Sequence, residues 1–310
     1  LNGGRVMGLT VGIPRALFYY QHAPFWSTFF EGLGLETVES PHTNKEILDL
    51  GSARAVDGCC LPLKVFLGHV LHLADRGIDT IFVPKIVSIV RREYICPYFL
   101  GLPDFARHYL PNHVRILDPV VDKRRWSWQW ARSFVRFGSD LASFRQAVRA
   151  FSKAQQRQRD WEAKQLIEGH ELPKNAVLLL GHRYLIEDRF FSGSIFDSFS
   201  KSGFHLVMAH QLPEPVLRMY ARRLQKRMFW TSGRQSLGAM EYVADHIVGV
   251  VTLASFACGT DSLVSDLIQR RARNAGVPNI VLHLDEHTGA AGTITRLEAF
   301  IDMLQRRRTS

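Results

Sequence analysis

Short apolar runs alternate with amphipathic stretches over nearly the whole chain, the pattern of buried strands separated by helices. Val6 to Ile13 predicts a strand closed by Pro14, and Ala16 to Leu33 an aromatic-rich helix ended by Gly34. Leu35 to Glu39 reads as a second strand. Thr43 is placed to cap a helix from Lys45, with Glu46 three residues beyond it as in a capping box. Leu61 to Ala74 predicts the next helix and Thr80 to Val83 a buried strand. A loop through Arg91, Arg92 and Glu93 then leads to Cys96 and Pro97 and a helix from Pro103. Trp126, Trp130, Phe134, Phe137, Leu141, Phe144, Val148 and Phe151 follow in steps of four and three, one apolar stripe along one long helix. Beyond Pro173 the alternation restarts, with strands over Ala176 to Leu180, Phe204 to Met208, Ile247 to Leu253 and Asn279 to Leu284. Helices are predicted around Ser194 to Lys201, Asp261 to Ala275 and Ile294 to Leu304.

This order predicts an α/β protein with mainly parallel sheets covered on both faces. The expected division is an N-terminal α/β domain over 1–122, a basic amphipathic connector helix over 123–172 and a C-terminal α/β domain over 173–310.

Composition excludes two classes. With 310 residues, 46% hydrophobic, 22% charged and 11% aromatic, the chain is neither disordered nor fibrous. No apolar run is long enough to span a bilayer. The first residues hold one Arg and a short apolar stretch without a small-residue cleavage site, so the expected location is the cytoplasm. Four cysteines are too few for a disulfide scaffold and would be reduced there.

Charge changes the picture at one place. Lys123 to Arg159 carries ten Lys or Arg against the single Asp140, most of the net +10 of the chain. Such a segment is either a surface for an anionic partner or the solvated face of a helix held down by its aromatics, and the second reading is favoured. No paired Cys/His finger, aromatic RNA-binding signature or helix-turn-helix pattern is present, so neither nucleic acid nor membrane is expected as a partner.

Cys60, Cys96 and Cys258 each stand at a strand-to-helix junction. Unpaired N–H groups there favour a thiolate or an anionic cluster, and in parallel sheets such loops gather on the carboxyl edge. From spacing alone the thiols are metal ligands or small core residues, since no CxxC pair occurs. Cys59, adjacent to Cys60, reads as core or a spare thiol. His69 falls on the helix after Cys60, where packing accounts for it best. His182, in a strand-end loop, is a candidate acid, base or fourth ligand. Asp285, Glu286 and His287 follow a strand and are candidates for proton transfer, or else cap the last helix with Thr288. There is no GxGxxG fingerprint, serine nucleophile elbow or HExxH motif.

Six phrases carry a resemblance: Val11-Gly-Ile-Pro-Arg-Ala16, Asp57-Gly-Cys-Cys-Leu-Pro-Leu-Lys64, Ile95-Cys-Pro97, Leu178-Leu-Leu-Gly-His182, Phe256-Ala-Cys-Gly-Thr-Asp-Ser262 and Asp285-Glu-His-Thr288. Taken in order, they resemble the acyl-CoA dehydratase activase-related family, a branch of the 2-hydroxyacyl-CoA dehydratase and benzoyl-CoA reductase superfamily. The resemblance implies two Rossmann-like, doubly wound domains and an oxygen-sensitive 4Fe-4S cluster held by Cys60, Cys96 and Cys258. The catalytic candidates, read from their loop positions, are His182, Glu286 and His287. The implied partners are an ATP-hydrolysing activase with its own iron–sulfur cluster, which delivers low-potential electrons, and a small-molecule substrate such as a CoA thioester; a dimer with a second copy of the chain is a further partner left open by the sequence. The chain departs from the family phrase at Arg183, where proline is usual, and at Arg189, which replaces the proline of an Asp-Pro. Arg183 is either an anion ligand or a surface loop residue. Two other readings stay open: a non-catalytic electron-transfer or scaffold subunit, and a zinc-binding structural protein.

Overall fold

Parallel pairing suits strands buried on both faces, and β7 (Ala176–Leu180) and β9 (Gly249–Ser255) are buried at every position. A computed structural model describes residues 8–124, 127–167, 171–224, 226–286 and 290–309. It is an α/β protein in which every described strand pairing is parallel. The chain divides into two compact units, Leu1–Asp57 with Leu63–Lys164, and Gly58–Pro62 with Gln165–Ser310.

The first unit holds β1 (Thr10–Ile13), β2 (Glu36–Glu39), β3 (Thr80–Phe82) and β5 (Arg115–Leu117) in the order β2-β1-β3-β5, and a separate pair, β4 (Lys85–Ser88) and β6 (Val120–Asp122). β4, β5 and β6 have three or four residues each, too few for an alternation to be read from sequence. The helices are α1 (Tyr19–Gly32), α2 (Lys45–Ser52), α3 (Leu61–Asp75), α4 (Tyr98–Tyr109), α5 (Ser127–Leu141) and α6 (Phe144–Ala163).

Three expectations are corrected here. The cap of α2 is Asn44, whose side chain accepts the Ile47 N–H at 2.9 Å, and not Thr43, whose hydroxyl is turned to His69. Helix α4 starts at Tyr98 rather than Pro103; Pro97 stands at its N-cap, and Pro103 is carried inside the helix by burial beside Phe99, Leu102 and Ala106. The basic segment is not one long connector but two helices. Ser143 takes an extended backbone and its Oγ accepts the Gln146 N–H at 3.3 Å, which stops α5 and starts α6. That break resets the helical phase, so Phe144 and Val148 of the expected stripe face solvent. The buried face of α6 is Ala147, Ala150, Phe151 and Ala154 instead.

Both helices pack on α1 within the first unit. Phe25 and Phe29 of α1 meet Phe134 with ring centroids 5.3 and 5.4 Å apart, and Phe151 lies 5.6 Å from Phe25. Gln146 and Gln158 donate to the Gly32 and Gln21 carbonyls of α1. Burying a ring such as Phe134 stabilises this packing by about 1.5–3 kcal/mol. Arg132, Arg136, Arg145, Arg149 and Lys153 stay exposed, as a solvated face held down by aromatics requires. Trp126 lies outside the described residues.

The second unit holds β7, β8 (His205–Met208), β9 and β10 (Asn279–Leu284) in the order β10-β9-β7-β8. In both units the first strand has the second on one side and the third and fourth on the other. The connections therefore diverge between β1 and β3 in one sheet and between β7 and β9 in the other, and such a switch point opens a crevice at the carboxyl edge. The helices are the single turn α7 (Arg183–Ile186), α8 (Arg189–Lys201), α9 (Glu214–Ala221), α10 (Thr231–Val243), α11 (Gly259–Asn274) and α12 (Ala290–Thr309). α9 and α10 carry no strong sequence signal. The glycines of α10 read as breakers, yet Gly238 is where the helix backs onto α9, with room for no Cβ against the Leu217 carbonyl. Among the described residues no helix is long and apolar enough to cross a membrane.

Candidate functional site

The switch point of the second sheet is where its reactive side chains meet. β7 ends at Leu180, and Gly181 follows with φ +145°, where an added Cβ would stand 2.7 Å from the Leu253 carbonyl oxygen of β9. Only glycine suits that backbone and that approach. The turn delivers His182 against the exit of β9. There Ala257 takes a left-handed φ of 61°, and Cys258 becomes the N-cap residue of α11, its carbonyl accepting the Ser262 N–H at 3.1 Å.

His182 Nε2 lies 3.0 Å from Asp261 Oδ1, and ligand atoms of His182, Cys258 and Asp261 all fall within 4.8 Å of one another. Asp261 is held from its other side by the Ser255 N–H, 2.9 Å from Oδ2. The imidazole stacks on Tyr184 at 4.8 Å with an interplanar angle of 9°. Cys258 Sγ is 3.1 Å from Thr260 Oγ1.

Burial opposes charge on both members of the His182–Asp261 pair, and their mutual attraction outweighs it. His182 is pushed up to about 10, with the Asp261 carboxylate and then Cys258 as the opposing causes. Asp261 is lowered below the usual carboxylate range by His182 and the Ser255 N–H. The pair is thus an imidazolium–carboxylate ion pair at neutral pH. The cavity beside it, lined by Ser232, Ser236, Thr252, Thr260 and Ser265, measures about 10 Å³, no more than a water's worth of space. The corresponding crevice of the first unit is apolar, with Pro14, Leu17, Phe18, Phe82 and Pro84 around a cavity of about 20 Å³.

The remaining thiols follow the same local rule. Cys60 is partly exposed directly ahead of α3, and Cys96 is partly exposed directly ahead of Pro97 and α4, its carbonyl accepting the Phe99 N–H. Cys59 is 5% exposed. Cys60 and Cys258 belong to the second unit and Cys96 to the first.

A family model described as CoA enzyme activase uncharacterised domain (DUF2229) matches residues 10–212. The chain belongs to this family. Its match takes in Cys59, Cys60, Cys96 and His182 and ends before Cys258. No curated protein matches the chain.

Among the other sequence candidates, His69 is structural. Its Nδ1 lies 2.8 Å from Ser40 Oγ and its Nε2 3.0 Å from Thr43 Oγ1, fully buried, and burial lowers its pKa to about 3. Arg183 is turned inward to Glu187 and Gln165, so it does not offer a free cation to an anion. Asp285 and Glu286 follow β10 on the carboxyl edge, partly buried. His287 lies outside the described residues. Asp261 is the site residue that sequence reasoning missed. An acid in the first turn of a helix is ordinary dipole chemistry, and only its spacing of three residues from Cys258 could have singled it out.

Proposed function

We propose that the protein is the electron-accepting component of a CoA-enzyme activation system. In this reading Cys60, Cys96 and Cys258 hold an oxygen-sensitive 4Fe-4S cluster, an ATP-hydrolysing activase with its own iron–sulfur cluster donates electrons, and a small molecule such as a CoA thioester is reduced. One observation carries it: the three partly exposed thiols each stand directly ahead of a helix, while the fourth, Cys59, is buried. Membership of a family described by CoA enzyme activase supports the setting.

The donor set fits such a group. Thiolates are the ligands of iron–sulfur clusters, and three of them leave one corner for another donor. When bound, the cluster supplies one-electron transfer at low potential. The chain's own residues do the rest. The positive ends of α3, α4 and α11 offset negative charge at the thiolates. In this reading His182 and Glu286, which each follow a strand of the same sheet, would be the groups that move protons.

A second reading, a structural zinc protein, is favoured by the grouping of His182, Cys258 and Asp261, since nitrogen, sulfur and oxygen donors suit zinc. Anaerobic purification with iron, zinc and sulfide analysis separates the two. About four irons and four sulfides per chain, with a visible spectrum that bleaches under dithionite, is the expected result. Zinc without iron overturns it. A reducible cluster with no turnover of any CoA thioester leaves an electron-transfer subunit.

A further inference from the structure

We propose that the outer face of α6 is a docking surface for an acidic helix of a partner protein, one that presents carboxylates four residues apart to the row Arg145, Arg149, Lys153 and Arg157. The row lies wholly within the first unit, and the inference does not depend on the cluster reading above.

The four cations recur at every fourth residue and are all exposed, in a row about 18 Å long by the helical rise. Residues four apart on a helix are neighbours, so like charges repel at each step of the row. Elsewhere the helices pair their cations: Lys45 with Asp49 in α2, Arg107 with Asp104 in α4, Arg218 with Glu214 in α9 and Arg270 with Asp266 in α11. The acids of α6 are turned to other groups, Asp160 accepting from Gln156 and Glu162 from Gln158. Among the described residues, no ion pair or side-chain hydrogen bond is formed by Arg145, Arg149, Lys153 or Arg157, nor by the exposed Arg132 and Arg136 of α5, which also stand four apart.

Solvation accounts for the exposure of these cations but not for their common sign, since a surface that has only to meet water mixes both signs. The fold does not call for the row either, because α6 packs through Ala147, Ala150, Phe151 and Ala154 on its other side. A row of one sign attracts a surface of the opposite charge and fixes its register. The matching spacing is that of Asp or Glu four apart on another helix, and the three guanidinium groups suit carboxylates, which they hold in a two-bond fork. Phe144 and Val148, one turn apart beside the start of the row, are 66% and 42% exposed. Such groups favour a partner with apolar side chains of its own, as a protein has, over a phosphate backbone. A lipid surface is the poorer occupant, because the apolar stripe that a surface-lying helix buries in it is already spent on α1.

The test uses the full chain in three forms: unchanged, Arg145→Gln with Arg149→Gln and Lys153→Gln, and the same three positions changed to Glu. Urea midpoints first show that each form folds. The probes are a labelled synthetic helical peptide with Glu at every fourth position along one face, a second peptide of the same composition with those Glu residues scattered around the helix, a DNA duplex and phosphatidylserine vesicles. All are titrated at physiological ionic strength, where loose attraction between exposed charges is screened. The unchanged chain is expected to bind the patterned peptide about tenfold or more tighter than the scattered one, and the Gln form to lose about tenfold or more of that affinity. The Glu form is expected to exchange the preference for a peptide with Lys in the same pattern, a gain that misfolding cannot mimic. A smaller difference in either affinity comparison, no exchange in a folded Glu form, or tighter binding of the duplex or the vesicles than of the patterned peptide overturns the inference. Failure of both altered forms to fold makes the row structural and overturns it as well.

Discussion

His182 Nε2 and Asp261 Oδ1 stand 3.0 Å apart although one follows β7 and the other lies in the first turn of α11. Their pairing ties the exit of one strand to the helix that follows its neighbour. Removing one partner of a nearly buried ion pair leaves the other charge without compensation. Asp261→Ala also strips the acceptor from the Ser255 N–H. The expected cost is about 3–5 kcal/mol, read as a lower urea midpoint, with Asp261→Asn costing less because an oxygen remains to accept that N–H. Equal midpoints for Asp261→Ala and the unchanged chain would show that the pair contributes nothing to stability.

His69 gives the first unit a pH dependence of definite sign. Its folded pKa of about 3 lies below the unfolded value of 6.5, so between these limits the unfolded chain binds the extra proton. The stability that depends on neutral His69 is full above pH 6.5 and is lost progressively as pH falls towards 3, at up to about 1.4 kcal/mol per pH unit. His69→Gln cannot titrate. Denaturation midpoints of the two chains, taken from pH 7 to pH 4, should fall more steeply for the unchanged one; parallel curves would contradict the assignment.

Two glycines respond in opposite directions to the same change. Gly181→Ala places a Cβ 2.7 Å from the Leu253 oxygen at φ +145°, and a loss of about 1–3 kcal/mol is expected from the backbone alone. Gly193, inside α8, has nothing within 4 Å of a built Cβ, and Gly193→Ala should gain about 0.5–1 kcal/mol. Thermal unfolding of the pair checks both signs.

The adjacent thiols Cys59 and Cys60 separate core from ligand. In the anaerobically reconstituted chain, Cys60→Ala, Cys96→Ala and Cys258→Ala are each expected to lose iron, while Cys59→Ala, a change at a buried position, keeps it. Should Cys59→Ala be the variant that loses its visible band, the ligand is the wrong one of the two neighbours.

Strands β7 and β10 were legible to the residue: β7 is an uninterrupted apolar run, and β10 is a mostly apolar run that starts directly after Pro278. The capping of α2 was not. Thr43 and Asn44 are both good caps, and the choice fell to Asn44 because the buried His69 takes the Thr43 hydroxyl. The aromatic stripe over 126–151 suggested one helix because steps of three and four continue across a break. Ser143 is a single residue, and its capping bond carries no weight in a periodicity.

Of the candidate site, sequence alone determined the local chemistry: three thiols ahead of helices and a histidine after a strand, each placed by residues within a few positions of it. Which of them meet was decided by the order β10-β9-β7-β8, because strand order is set by packing between segments distant in the chain. That order put β7 beside β9, and with it His182 against Cys258 and Asp261, residues some eighty positions apart that no local pattern connects.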